Sequence, residues 1–272
     1  MEANKKEDNT MKDAITDLQK FRDFLMSIPL DKYREELKDI KWVEQDLPKE
    51  ILPLSSIFRY YWEERNFINF EDWFENFWQE INEKEESKSS LQEFKKYYFN
   101  RELEENGWFK KGFKARMYRT WVSVLTQLDF CYLFEYICAK ENKKLKLQCD
   151  SELDRKGIDA RVKTIDFQIA KITQRKEARS ASRRKSLIII PYAVFNIEEF
   201  ENKIKSPRVK DKTGYQKSLQ AFRKYFIRLN NGFVVFHENY LRAIIENIEN
   251  IDNIEKMQRI LEGISKELSG KY

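Results

Sequence analysis

The sequence predicts an α/β protein, with a mixed central sheet flanked by helices and a helical region ahead of it. Three observations lead there. Seven Gly and five Pro among 272 residues are too few for a loop-rich sandwich and favour long helices. Apolar residues in the N-terminal part recur at helical spacing. Further on, five short runs alternate or stay continuously apolar as strands do, with helical patterns between them. The expected division is a helical N-terminal region over 1–106 and an α/β core with a C-terminal helix over 107–272.

Taken in order, the first dozen residues read as a frayed polar tail. Residues 11–41 are helical in period, with Ile15, Leu18, Phe21 and Leu25 on one stripe, a break at Pro29 and a restart at Asp31. Pro48 and Pro53 frame a loop. Trp73, Phe77 and Ile81 fall four apart, the spacing of a helix-packing core. "EKEESKSS" reads as a charged linker, and a helix follows over about 91–103. Residues 114–141 form one long amphipathic helix whose stripe is Met117, Trp121, Val124, Leu128 and Cys131, with Glu135 on the same face. Then come the strand patterns: "KLKLQ", "IDARVK", "FQIAKIT", whose apolar continuity suits a central position, "LIIIPYAVF" and "NGFVVFH". Helical segments are expected at 175–185, 197–205, 214–228 and 239–269.

Composition narrows the chemistry. Cys131, Cys138 and Cys149 form no CxxC pair, so reduced thiols in a cytosolic protein are the plain reading. His237 is the single histidine and sits at a strand end, where a structural role is expected; a two-histidine zinc site cannot be built. Asp, Glu and Lys must carry any reaction, and such ligands suit Mg2+. No apolar run approaches the roughly 20 residues a membrane span needs, and the polar N-terminus is not a signal peptide.

Net charge is only +5, but it is unevenly spread. Residues 63–105 carry 13 acids against six basic residues, whereas 171–185 carry seven basic residues and one acid, and 203–228 nine and one. A basic concentration of this kind is what binding a polyanion requires; its alternative is a solvated charged face. Within it, Arg175, Arg179 and Arg183 recur every four residues, with Lys176, Ser180, Ser182 and Arg184 interleaved. A second segment, 205–217, reads as a basic loop bearing Lys205, Arg208, Lys210 and Lys212.

The stretch "ELDRKGIDARVKTIDFQIAKIT", 152–173, holds Asp154 and Asp159 five apart, then Gln168 and Lys171 inside an apolar run. Ionised lysine within such a strand is costly unless a charge partner stands by, and the two aspartates supply one. Hydrolysis of a phosphodiester needs carboxylates to hold a divalent cation and a cationic group near the phosphate. Gly157 permits a tight entry into the strand or close approach of a phosphate. The alternative is that Lys171 snorkels from an exposed strand end.

These residues resemble the PD-(D/E)XK nuclease superfamily, to which many type II restriction endonucleases belong. The matching pieces are the helix with Glu135, the hairpin with Asp159, the strand with Lys171 and the basic segment after it, over about 114–237. Within it, "DRKGID" looks most like the TaqI-type enzymes. The resemblance implies a restriction-endonuclease-like core, Asp154 and Asp159 as metal-binding acids, Lys171 as catalytic lysine, and a Mg2+-dependent homodimer cutting duplex DNA at a short palindrome. The superfamily places an acid two residues before the lysine, where this chain has Ile169, with Gln168 one place earlier. Asp154, Glu135 or Glu152 can supply the missing carboxylate, or a bulge can shift the register. Two rivals stand beside this reading: another nuclease of the superfamily, for repair or modified DNA, and a DNA-binding protein without catalysis.

Overall fold

The computed structural model describes residues 2–37, 47–96, 108–172, 187–193, 197–210, 212–248 and 254–269. α1 spans Glu2–Ser27, which corrects the expected frayed tail: no Gly or Pro interrupts the chain before Pro29. α2 is Leu30–Leu37. After a 3-10 turn at Lys49–Ile51, α3 (Leu54–Phe58) runs into a π-helical turn, Arg59–Glu63. α4, Phe70–Glu83, starts at Asn69, whose side chain accepts the Asp72 N–H. α5 covers Glu85–Lys96 and takes in most of "EKEESKSS". The linker reading fails because Ser87, Leu91 and Phe94 sit at i, i+4 and i+7 and are all buried, giving this charged segment an inward stripe. α6 is the 33-residue helix Trp108–Lys140.

The chain divides into two compact units, Asp23–Leu128 and Met1–Arg22 with Asp129–Tyr272. The division falls inside α1 and α6 and does not coincide with a break at 106/107. The core of the Asp23–Leu128 unit is aromatic. Trp73 stacks on Phe77 at 5.4 Å and its indole N–H reaches the Ser56 hydroxyl, while Phe70 packs against Trp73, Phe74, Tyr118 and Trp121. The Trp73, Phe77 and Ile81 stripe is buried, as its spacing predicts. α6 is long and apolar enough to cross a membrane by length and composition, but 72% of its apolar window is buried in the protein, as in a core helix.

The other unit holds the strands. In chain order these elements are β1 (Leu147–Gln148), α7 (Ser151–Arg155), β2 (Ala160–Val162), β3 (Ile165–Lys171), β4 (Leu187–Tyr192), α8 (Ile197–Lys205) and α9 (Thr213–Tyr225). β5 (Phe226–Arg228), β6 (Val234–Phe236), α10 (Glu238–Ile248) and α11 (Ile254–Ser269) complete it. The main sheet has the order β1-β2-β3-β4, antiparallel except for the parallel β3–β4 pair. β3 is internal, as its apolar run predicts. Pro191 lies in the edge strand β4, where a missing N–H is tolerated, and its carbonyl accepts the Tyr240 hydroxyl.

Two sequence expectations change in this unit, and a third is not tested. Residues 226–228, read as the end of a helix, form β5 and pair antiparallel with β6 in a separate two-stranded sheet. α9 already begins at Thr213, so the basic loop is shorter than 205–217. The expected helix over 175–185 lies outside the described residues. Aromatic packing joins the pieces: Phe130 of α6 meets Phe167 and Phe236, and Tyr192 meets Phe226 and Phe236 while its hydroxyl bonds the Val234 carbonyl.

Candidate active site

The site is built by one turn of helix and its two caps. Asp150 accepts the N–H groups of Glu152 and Leu153 and so starts α7. At the other end Gly157, at φ +72°, lets the chain reverse. Its N–H donates to the Asp154 carbonyl at 2.8 Å, and the Ile158 N–H reaches the Leu153 carbonyl at 3.0 Å. This is the paired-bond arrangement of a Schellman cap, with Leu153 and Ile158 buried as its apolar contact. The reversal leads straight into β2 and turns the two aspartates, five apart in sequence, toward each other.

Asp159 is seated where the β2–β3 ladder ends. Ala160 is the register partner of Phe167, yet the Asp159 N–H also reaches the Phe167 carbonyl at 2.8 Å, so both residues face Phe167 as in a bulge. The Asp159 carboxylate accepts the Ile169 N–H. Its side chain is buried, and its carboxyl is held well above the usual carboxylate range. Burial is the main cause; the negative charge of Asp154 and the hydrogen bond between the two carboxyls add to it, against the Ile169 N–H. A buried acid in contact with a half-buried one needs a proton or a cation between them.

Around this pair the predicted residues fall at different places. Gln168 follows Phe167 in β3, its amide nitrogen 3.8 Å from where a Cβ on Gly157 would sit, and its Oε1 is buried with no hydrogen-bond partner among the described residues. Lys171 is the exposed end of β3, two residues beyond the Ile169 amide that Asp159 binds. Two residues of strand span about 7 Å. Glu135 is half-buried on α6. Among the described residues no three His, Cys, Asp or Glu side chains gather as a metal site; the contact that is formed is between Asp154 and Asp159. Lys205, Arg208 and Lys210 are exposed and Lys212 half-exposed between α8 and α9. Arg175, Lys176, Arg179, Ser180, Ser182, Arg183 and Arg184 lie outside the described residues.

Sequence reasoning missed α7 and what backs the acids. The signal for α7 was there: Asp150 as N-cap and Gly157 as C-terminal stop bracket "SELDRK". The backing is a pair of buried thiols. Cys149 Sγ lies 3.2 Å from Cys131 Sγ, and burial, then Cys131, then the nearby Asp159 and Asp154 keep the Cys149 thiol protonated. Pairing across 18 residues leaves no local pattern. His237 is structural: its Nδ1 accepts the Asn239 N–H at the head of α10.

Comparison with known proteins adds a family to this geometry. The family model described as TaqI restriction endonuclease matches residues 18–248. The chain is 37% identical over 242 residues to the type II restriction enzyme TaqI of Thermus aquaticus, covering 84% of this chain and 86% of that protein. It is 35% identical, over the same shares, to the type II restriction enzyme TthHB8I of Thermus thermophilus. No solved structure matches at a significant level.

Proposed function

The chain belongs to the TaqI restriction endonuclease family, and we propose that its type II, sequence-specific hydrolysis of double-stranded DNA depends on Mg2+ held by Asp154 and Asp159. The observation that carries this reading is the contact of the buried Asp159 carboxyl with that of half-buried Asp154. Two hard oxygen donors fit a cation that is bound by one or two carboxylates and completes its sphere with water and phosphate oxygens. Bound there, a divalent cation supplies Lewis-acid charge to the phosphodiester.

The chain's own groups account for the rest. Lys171 offsets the negative charge that builds on the phosphoryl oxygens in the transition state. Gln168 orients water through its unpartnered Oε1. Glu135 is the residue from which a further carboxylate would come. The arrangement is a PD-(D/E)XK centre in which Ile169 takes the acid's place and Asp154 replaces the missing carboxylate. Lys205, Arg208, Lys210 and Lys212, with the Arg175–Arg184 segment, hold the DNA backbone. One such centre per chain cuts one strand, so a palindromic duplex calls for a homodimer. The compartment is the bacterial cytoplasm, where the DNA is.

The test is cleavage of plasmid DNA by Asp159→Ala and Lys171→Ala proteins, with and without EDTA and added Mg2+. Each substitution should lower cleavage about a hundred- to a thousandfold, the range seen on removing one transition-state group, while duplex binding persists. Wild-type-like cleavage by either protein, or undiminished cutting in EDTA, would overturn the assignment.

A further inference from the structure

The open end of the β1–β2 ladder carries an unexplained pair of charges. Leu147 pairs with Val162; the next residues, just past the ends of β1 and β2, are Lys146 and Lys163, both exposed. Like charges at neighbouring positions repel. The neighbouring basic residues are neutralised, Arg161 by Asp166 and Arg155 by Glu152. Among the described residues Lys146 and Lys163 have no such acid, nor does exposed Lys144 two residues before Lys146.

Lys163 is also held in an unfavourable backbone. Val162 pairs with Ile165, leaving Lys163–Thr164 as a two-residue hairpin turn, and Lys163 takes φ +54°. Glycine or asparagine is the ordinary occupant of that conformation. Here the chain places a long cationic side chain where glycine would be unstrained, beside a second lysine.

Resting on the nuclease reading above, we infer that Lys146 and Lys163 form a phosphate clamp that grips the DNA backbone away from the reacting bond. Lys163 lies four residues along the chain from Asp159, about 13 Å at strand rise. A backbone laid along β2 with one phosphate at the acid pair therefore brings a different phosphate of the same strand to the lysines. The contact is independent of base sequence, and it positions the duplex without touching the reacting atoms.

The experiment is binding of a fluorescent random-sequence duplex in EDTA, followed by anisotropy over a range of salt. Compared are wild type, Lys146→Gln with Lys163→Gln, Lys163→Gly alone, and Lys84→Gln as a charge control on a lysine paired with Glu80. Each lost phosphate contact lowers the slope of log affinity against log salt by about 0.9, so the double variant should lose about 1.8 and bind at least about tenfold more weakly at 0.1 M salt. Lys163→Gly should lose about half of that slope change and melt no lower than wild type, because it relieves the turn. Lys84→Gln should keep the wild-type slope. An unchanged slope in the double variant overturns the clamp, as does an equal loss in Lys84→Gln. A wild type that binds no duplex overturns the nuclease reading instead.

Discussion

The proposed role makes Asp159 a ligand although it is buried like a core residue, and those demands conflict when no cation is present. Its carboxyl is held above the usual range by burial and by Asp154, so the folded chain keeps a proton that the unfolded chain releases near pH 3.9. This contribution to stability is complete below that pH and is lost as pH rises through the raised folded value. Urea melts in EDTA at pH 5 and pH 8 should therefore show wild type losing more stability with pH than Asp159→Asn. At pH 8 the variant should be the more stable by something of order 1 kcal/mol, and it should not cleave. Equal pH dependence in the two proteins would mean that the Asp159 carboxyl is not held above the usual range. At this scale the sequence was informative where chemistry is local: Asp154, Asp159 and Gln168 are legible in one stretch of chain. Glu135 was not decidable, because a position on an apolar face does not reveal which cavity it borders.

Helix α7 sets the distance between the two acids, although its five residues would not persist alone. Asp150 holds one end, and the Schellman bonds of Gly157 and Ile158 hold the other. Gly157→Ala forces a Cβ into a left-handed residue at a cost of about 1–2 kcal/mol, and easing that strain turns Asp154 away from Asp159. Cleavage should fall at least about tenfold, beyond what the stability loss explains, when both are measured at a temperature where the variant is fully folded. An alanine protein with wild-type cleavage would show that the cap does not position the acids. Period explains which other elements could be read. The strands around Ile158, Phe167 and Ile188 carry unmistakable apolar runs, and the Trp73–Ile81 stripe repeats every four residues. β5 was hidden because its three residues follow α9 without a break, and the first half of α5, ahead of the helix expected from about 91, because its charges outweigh a three-residue stripe.

At the scale of the molecule, the break at 106/107 is where composition changes, but the strand-bearing unit also includes Met1–Arg22. The reason is one buried acid. Asp129 on α6 is fully buried; it accepts Arg22 Nε at 2.9 Å and the Phe236 N–H at 2.7 Å, while Arg22 also donates to the Phe236 carbonyl. Phe21 beside it is fully buried and stacks on Tyr132 at 4.5 Å. No periodicity announces a partnership across 107 residues, so the sequence could not reveal that the head of α1 belongs with the strands. A fragment starting at residue 107 would leave Asp129 buried without its cation, at about 3–5 kcal/mol, and would open the site that Phe21 fills, at about 3–5 kcal/mol more. Against a typical stability of about 5–15 kcal/mol, that loss is enough to abolish the fold. The expected outcome is a 107–272 fragment with no cooperative thermal transition, and an intact Asp129→Ala chain that melts well below wild type. A fragment that melts cooperatively at the temperature of the full chain would show that the Arg22–Asp129 pair contributes nothing and that the unit is complete without α1.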